Sequence, residues 1–275
     1  MQINQLLSPP ERVAGFGYRQ VPVWYHTSQD IINDFNVIGG RLKILKCIPS
    51  PFPFYDWIMG FYERPSNRCA LKGPVLDRAE KIIDVGVGTG YLLSRLISGT
   101  NEHQEIAAID LSQQMLNNAR SYLVRKKQLS ERVSFKKDNC LNLSWPDEYF
   151  DLYVSSYLFD LLPENELRKA IGEMERILRP GGYAILVTMT TELDGFSWVK
   201  KQVFRLMNEL YCLGYNKGRW NPIWKFLFAD YAPHCRPIGL GEYLRASANL
   251  TIIYSKLSRV SFFPVRVHYV RKAHK

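Results

Sequence analysis

Between residues 80 and 190, short apolar runs alternate with longer stretches whose apolar positions recur every three or four residues. Ile82, Ile83 and Val85 form a run suited to a strand buried on both faces, interrupted by Asp84 near its carboxyl end. Four more runs read as strands: Glu105 to Asp110, Val133 to Lys136, Phe150 to Ser155 and Tyr183 to Thr188. Helices are predicted between them. One covers Tyr91 to Ile97. A second starts from Ser112 as N-cap and runs to about Gln128, with Met115, Leu116, Ala119 and Leu123 as its stripe. A third runs from Asn165 to Leu178 and is expected to stop at Pro180-Gly181-Gly182. Such alternation predicts a parallel sheet covered by helices on both faces.

The pattern changes on either side of this region. Residues 196–231 read as one or two aromatic-rich helices broken near Gly214 to Asn221. Leu250 to Leu257 and Val265 to Val270 read as two strands too close in sequence for a crossover helix, so they should pair antiparallel. Upstream, SQDIINDFNVIGG has helical spacing, and PSPFPFYDWIMGFYERP is dense in aromatic residues, with a helix expected from Tyr55. That helix reads either as packing on the sheet edge or as a lid over an apolar substrate. The expected organisation is an N-terminal helical lid or substrate region over 1–75 and an α/β domain over 76–275, the latter interrupted by a helical substrate-binding insertion at about 194–248.

Composition narrows the picture little. The 275 residues carry a formal charge of +10, which suits an acidic small molecule, an anionic membrane or nucleic acid. Two stretches are strongly basic, 120–137 and 243–275, and their plainest reading is solvated faces. The five cysteines include no C-x-x-C pair, which opposes a disulfide scaffold and a tetrathiolate site, and no metal is expected. The amino terminus lacks a basic stretch followed by an apolar core, and no run is long enough to span a bilayer. A cytoplasmic protein, with contact at a membrane surface as an option, is expected.

The chemistry concentrates at DVGVGTG, residues 84–90. Glycines at 86, 88 and 90 permit a tight turn and close approach of a ligand to the backbone, and the first N–H groups of the following helix would face that ligand. By itself this motif is weak. It is followed in order by AAIDLSQQML at 107–116, KKDNCLNLSW at 136–145, FDLYVSSYLFDLLP at 150–163 and LRPGGYAILV at 178–187. Together the five segments resemble the class I S-adenosylmethionine-dependent methyltransferases, over about 40% of the chain. The resemblance implies a Rossmann-like, mostly parallel seven-stranded sheet with a terminal antiparallel hairpin and helices on both faces. Within the family, the chain is most similar to the quinone- and phospholipid-methylating branch and to small-molecule enzymes of natural-product pathways, and Tyr55-Asp56 resembles a Tyr-Asp pair of the quinone enzymes.

The resemblance also implies a site. Gly86, Gly88, Thr89 and Gly90 would surround the methionyl part of S-adenosylmethionine, and Asp84 would hold its amino group or water beside it. Asp110 would accept from both ribose hydroxyls, with Leu111 and Met115 near the adenine. Asp138 would accept from the adenine amino group, with the Asn139 N–H donating to a ring nitrogen, and Ser155 would lie near the sulfur. Catalytic candidates are His26 and His234, as imidazoles titrating in a useful range, with Tyr157 and Asp160 just beyond the fourth strand. The expected reaction is methyl transfer to oxygen, carbon or nitrogen of a bulky apolar or aromatic small molecule. A lipid-quinone or phospholipid acceptor is the first alternative. RNA or protein methylation follows, set lower because SSYLF lacks the N/D-P-P-Y/F pattern of amino-methylating nucleic-acid enzymes. A non-catalytic partner protein retaining the fold is the reading from a different class.

Overall fold

The computed structural model describes residues 67, 70–71, 75–194, 197–204, 206, 237–258 and 264–274. Seven strands form one sheet: β1 Lys81–Val85, β2 Glu105–Asp110, β3 Val133–Lys137, β4 Phe150–Ser156, β5 Leu178–Met189, β6 Leu250–Ser258 and β7 Val265–Lys272. Their order across the sheet is β3-β2-β1-β4-β5-β7-β6. Strands β1 to β5 are parallel, and β7 lies antiparallel between β5 and β6. The order reverses beside β1, so the carboxyl ends of β1, β2 and β4 open onto a common crevice, the usual place for a ligand in such a sheet.

The central strands are apolar on both faces because both faces are covered. Helices α1 Val75–Arg78, α2 Tyr91–Ser98 and α3 Gln113–Arg125 share one core with Ile82, Ile106, Ala108 and Val154. Helices α4 Glu164–Ile177 and α5 Leu240–Arg245 share the other with Ile83, Val85, Tyr153 and Leu186. Ser112 caps α3 by accepting from the Met115 N–H at 3.4 Å. This helix ends at Arg125, short of Gln128, and Lys127 turns the chain with a φ of 55°.

Two expectations change. The expected stop at Pro180-Gly181-Gly182 is instead an irregular part of β5. The helix α4 ends at Ile177, Leu178 already pairs with Phe150, and the register shifts before Leu152 meets Tyr183. A bulge of this kind accommodates a proline that cannot donate to a regular ladder. Second, α5 falls inside the expected insertion, yet its Leu240 and Leu244 are fully buried in the sheet's core. The first basic stretch is solvated, its Lys and Arg all exposed except the half-buried Arg132, whereas the second buries Arg266 and Lys272. Arg132 donates to the carbonyls of Ile97, Asn101 and Gln104. Lys272 donates to the Leu178 carbonyl at 2.8 Å.

Past β5 the chain leaves and re-enters through a clasped stem. Thr190 bridges to Ile238, the Ile238 N–H donates to the Met189 carbonyl, and the Thr190 N–H donates to the Pro264 carbonyl at 2.9 Å.

Candidate active site

The glycine-rich turn is bent back against β2. The N–H groups of Gly86 and Val87 both donate to the Ile109 carbonyl, at 2.9 and 3.0 Å. Val87 is buried in the core, which accounts for an apolar residue in the middle of the turn. Gly86 and Gly88 adopt φ of 75° and 53°, a region L-residues avoid. A Cβ on Gly88 would meet nothing closer than 4.0 Å, so that peptide faces open space, whereas Leu158 sits over Gly86. Gly90 also has a packing task. Its φ is 88°, and a Cβ there would lie 2.8 Å from the Ala119 Cα, so Gly90 lets α2 pack on α3.

Two carboxylates flank the turn. Asp110 Oδ2 accepts from the Gly88 N–H at 3.0 Å, and Oδ1 accepts from the Ser112 N–H at 2.9 Å. Burial lifts the Asp110 carboxyl above the ordinary range, and the N–H groups of Ser112, Gly88 and Leu111 counter part of that lift. Asp84 is 1% exposed, and neither of its oxygens has a hydrogen-bond partner. Burial first, and the Asp110 charge second, push its carboxyl up to about 7. A buried carboxylate without donors is costly, and an arriving cation would relieve that cost.

The remaining residues fall around the same crevice with different commitments. Thr89, Leu111 and Met115 are half-buried beside the turn and at the start of α3. Asp138 Oδ2 accepts from the N–H and hydroxyl of Ser144, and Oδ1 accepts from the Asn139 N–H. The Asn139 N–H is therefore given to its own turn rather than held out for a ring nitrogen. Asp138 retains an acceptor position, since an ionised carboxylate has about four. Ser155 is buried and donates to the Val85 carbonyl at 2.9 Å, tying β4 to β1 below the turn. Tyr157 takes a φ of 54°, rare for a bulky residue, and its N–H donates to the Val187 carbonyl. Asp160 is fully buried and accepts from the Met189 N–H at 3.2 Å, so it joins the ends of β4 and β5. His26, His234 and Tyr55-Asp56 lie outside the described residues.

Four contacts at this end of the sheet were not anticipated. Asn67, 2% exposed, accepts from the Ser156 hydroxyl at 2.7 Å and so ties the segment before α1 to the end of β4. His268, 1% exposed on β7, lies 3.3 Å from Glu192, which also meets Arg266 and Arg245. The alternation in VRVHYVRK places Arg266, His268 and Val270 on one face, the only sequence signal for that cluster. Among the described residues no group of His, Cys, Asp or Glu could hold a metal ion. Cys140 is the one cysteine among them, and burial pushes its thiol up to about 12, which leaves it inert near neutral pH.

Comparisons with known proteins bear on the family and the fold. The methyltransferase domain family matches residues 82–182. A phosphatidylethanolamine N-methyltransferase of Cereibacter sphaeroides is 31% identical over 158 residues, 57% of this chain and 73% of the relative. A demethylmenaquinone methyltransferase of Bacteroides fragilis is 32% identical over 133 residues, 48% of this chain and 51% of the relative. The chain thus spans about half the length of the curated relatives it matches first. Among solved structures, a methyltransferase described as putative, in complex with the Haloferax volcanii Trm112 activator, superposes with a TM-score of 0.59 at 17% identity, over 89% of this chain and 98% of that one. The [4+2]-cyclase SpnF superposes with a TM-score of 0.54 at 19% identity, over 76% and 81%. These two likenesses carry the fold alone, and the cyclase illustrates that the fold does not fix a reaction.

The chain belongs to the class I S-adenosylmethionine-dependent methyltransferases. The cofactor of that family is S-adenosylmethionine, and the residues present fit it. The donor-less Asp84 carboxylate suits an ammonium group. Asp110 is held in place through two N–H contacts and keeps lone pairs for a diol, and the open Gly88 peptide admits close approach.

Proposed function

We propose that this chain transfers a methyl group from S-adenosylmethionine to carbon, oxygen or nitrogen of a bulky apolar acceptor, lipid-like in the sense of a quinone or phospholipid. The observation that carries the transfer is the buried, donor-less Asp84 beside an open glycine turn fastened to Asp110. The curated relatives, named for demethylmenaquinone and phosphatidylethanolamine methylation, support the acceptor class.

When bound, the cofactor supplies an electrophilic methyl group on a sulfonium. Asp84 would hold the ammonium group and Asp110 the ribose hydroxyls. The turn at Gly86, Gly88 and Thr89 would lie along the methionyl chain. Leu111 and Met115 would give the adenine an apolar shelf, and Asp138 would accept from its amino group. Ser155 holds the end of β1 in place by its bond to Val85. Tyr157 and Asp160 border the acceptor side. The reaction is an in-line displacement, so orientation and exclusion of water are the main demands on the protein. The region 1–75 and the insertion near 194–248 would supply that enclosure. His26 and His234 are candidate proton acceptors for a phenol or an acidic carbon.

The test is incubation of the full chain with methyl-labelled cofactor and a panel of demethylated quinones and phosphatidylethanolamine. Label in the lipid fraction, lost in Asp110→Ala, is expected. Tight cofactor binding without transfer to any acceptor would reject the reading in favour of a non-catalytic partner.

A further inference from the structure

The helical stretch 198–204 leaves the clasped stem at the end of β5 and turns apolar side chains to solvent. Val199, Val203 and Leu206 are 63%, 52% and 60% exposed, and Trp198 is 73% exposed. Residues 199, 203 and 206 follow i, i+4, i+7 spacing and so form one stripe, with Trp198 at its margin. Contiguous exposed apolar stripes are uncommon on soluble surfaces and mark places of attachment. Lys200 flanks the stripe, Lys201 lies on the far side of the helix, and the sequence from 197 to 225 adds Arg205, Lys217, Arg219 and Lys225 against the single acid Glu209. A short helix with an apolar stripe, a tryptophan and lysines is suited to lie in the plane of an anionic bilayer surface. None of the described helices is long and apolar enough to cross one.

We infer that this stripe docks the protein on an anionic phospholipid surface, with Val199, Val203 and Leu206 entering the headgroup boundary, Trp198 at its edge, Lys200 facing phosphate and Lys201 adding positive charge from the far side of the helix. The inference rests on the lipid-like acceptor proposed above, and location gives it purpose. Trp198 is six residues from Glu192, which at about 3.3 Å per residue is at most about 20 Å of chain. The stripe is therefore tethered close to the carboxyl ends of β4 and β5, where an acceptor drawn from the bilayer would have to arrive.

The test is co-sedimentation of the full chain with vesicles of phosphatidylcholine, with and without one-third phosphatidylglycerol, beside transfer assays on a detergent-dispersed acceptor. Binding to the anionic vesicles that weakens with salt is expected. Val203→Glu with Leu206→Glu, and separately Lys200→Ala with Lys201→Ala, should each reduce it by about ten-fold or more. Loss of vesicle binding in the variants with no transfer by any form would uphold the docking surface and reject the acceptor reading. Failure of the unsubstituted chain to bind anionic vesicles, or equal binding by the variants, would overturn the inference. So would a dimer that the Glu substitutions split while vesicle binding is unchanged, since the stripe would then serve a second copy of the chain.

Discussion

The Gly88 N–H donates to Oδ2 of Asp110 at 3.0 Å, joining the glycine turn to the end of β2 across 22 residues. One carboxylate thereby shapes the loop and presents its remaining lone pairs to the crevice. Asp110→Ala removes both functions. A hydrogen bond to a charged group contributes about 1.5–3 kcal/mol, so S-adenosylmethionine affinity should fall by roughly ten- to a hundred-fold. Titration calorimetry checks this, and unchanged affinity would remove the ribose assignment.

The Asp84 carboxyl gives a pH dependence of defined sign. Its folded value, about 7, lies above the ordinary 3.8, so the folded state holds the extra proton between those values. Stability of the ligand-free protein should therefore be greatest below about pH 4 as far as this group is concerned, and should be lost as pH rises through 7. Cofactor affinity should move the other way, since the ionised carboxylate attracts the ammonium group. Below about pH 7 it should drop by up to about ten-fold per pH unit. Asp84→Asn should flatten both profiles. Urea midpoints and calorimetry from about pH 5.5 to 8.5 separate the two effects, and a variant with the parent's slopes would show that Asp84 is not the group involved.

The alternation of apolar runs sufficed for the sheet, because a strand buried on both faces leaves a compositional mark in its own residues. Asp84 and Asp110 were legible for the same reason, as acids at the ends of such runs. The contacts that escaped are long-range. Asn67 and Ser156 are 89 residues apart, and nothing local announces their bond. Glu192 and His268 meet only because β7 inserts beside β5. Gly90 was read as a ligand contact because its motif sits beside the ligand turn, whereas its packing against Ala119 depends on the approach of two helices. The Asn139 N–H was expected to face a ligand because a turn that consumes its own donors cannot be told from an open one without coordinates.

Gly88 and Gly90 should therefore respond differently to alanine. At Gly90 the added Cβ meets backbone at 2.8 Å and the φ is 88°, so both packing and conformation oppose it. Gly90→Ala should cost about 2–4 kcal/mol, read as a lowered denaturation midpoint. At Gly88 there is room, and only the left-handed backbone opposes the change, at about 1–2 kcal/mol. Its larger effect should be on cofactor binding, through the methyl group added where the ligand would lie. Equal destabilisation by the two substitutions would contradict this division.

Glu192 lies in the clasped stem after β5, and its charge is what the cluster needs. Burial raises its carboxyl, but His268, Arg266 and Arg245 outweigh that and hold it below the ordinary 4.5. The Arg266 guanidinium also donates to the Glu192 carbonyl at 2.6 Å and to the Ser255 hydroxyl at 3.2 Å, so it cannot swing away when the carboxylate is neutralised. Glu192→Gln keeps the shape and removes the charge. It should destabilise the protein by about 2–4 kcal/mol at neutral pH, because a mostly buried guanidinium is left with only the exposed Asp194, 3.8 Å away, as its anion. Because the folded value is depressed, this contribution is present above about pH 4.5 and is lost as pH falls through the folded value. The gap between the urea midpoints of the parent and Glu192→Gln should accordingly narrow below about pH 4. A gap that persists undiminished in acid would mean that Glu192 acts through its shape and hydrogen bonding rather than its charge.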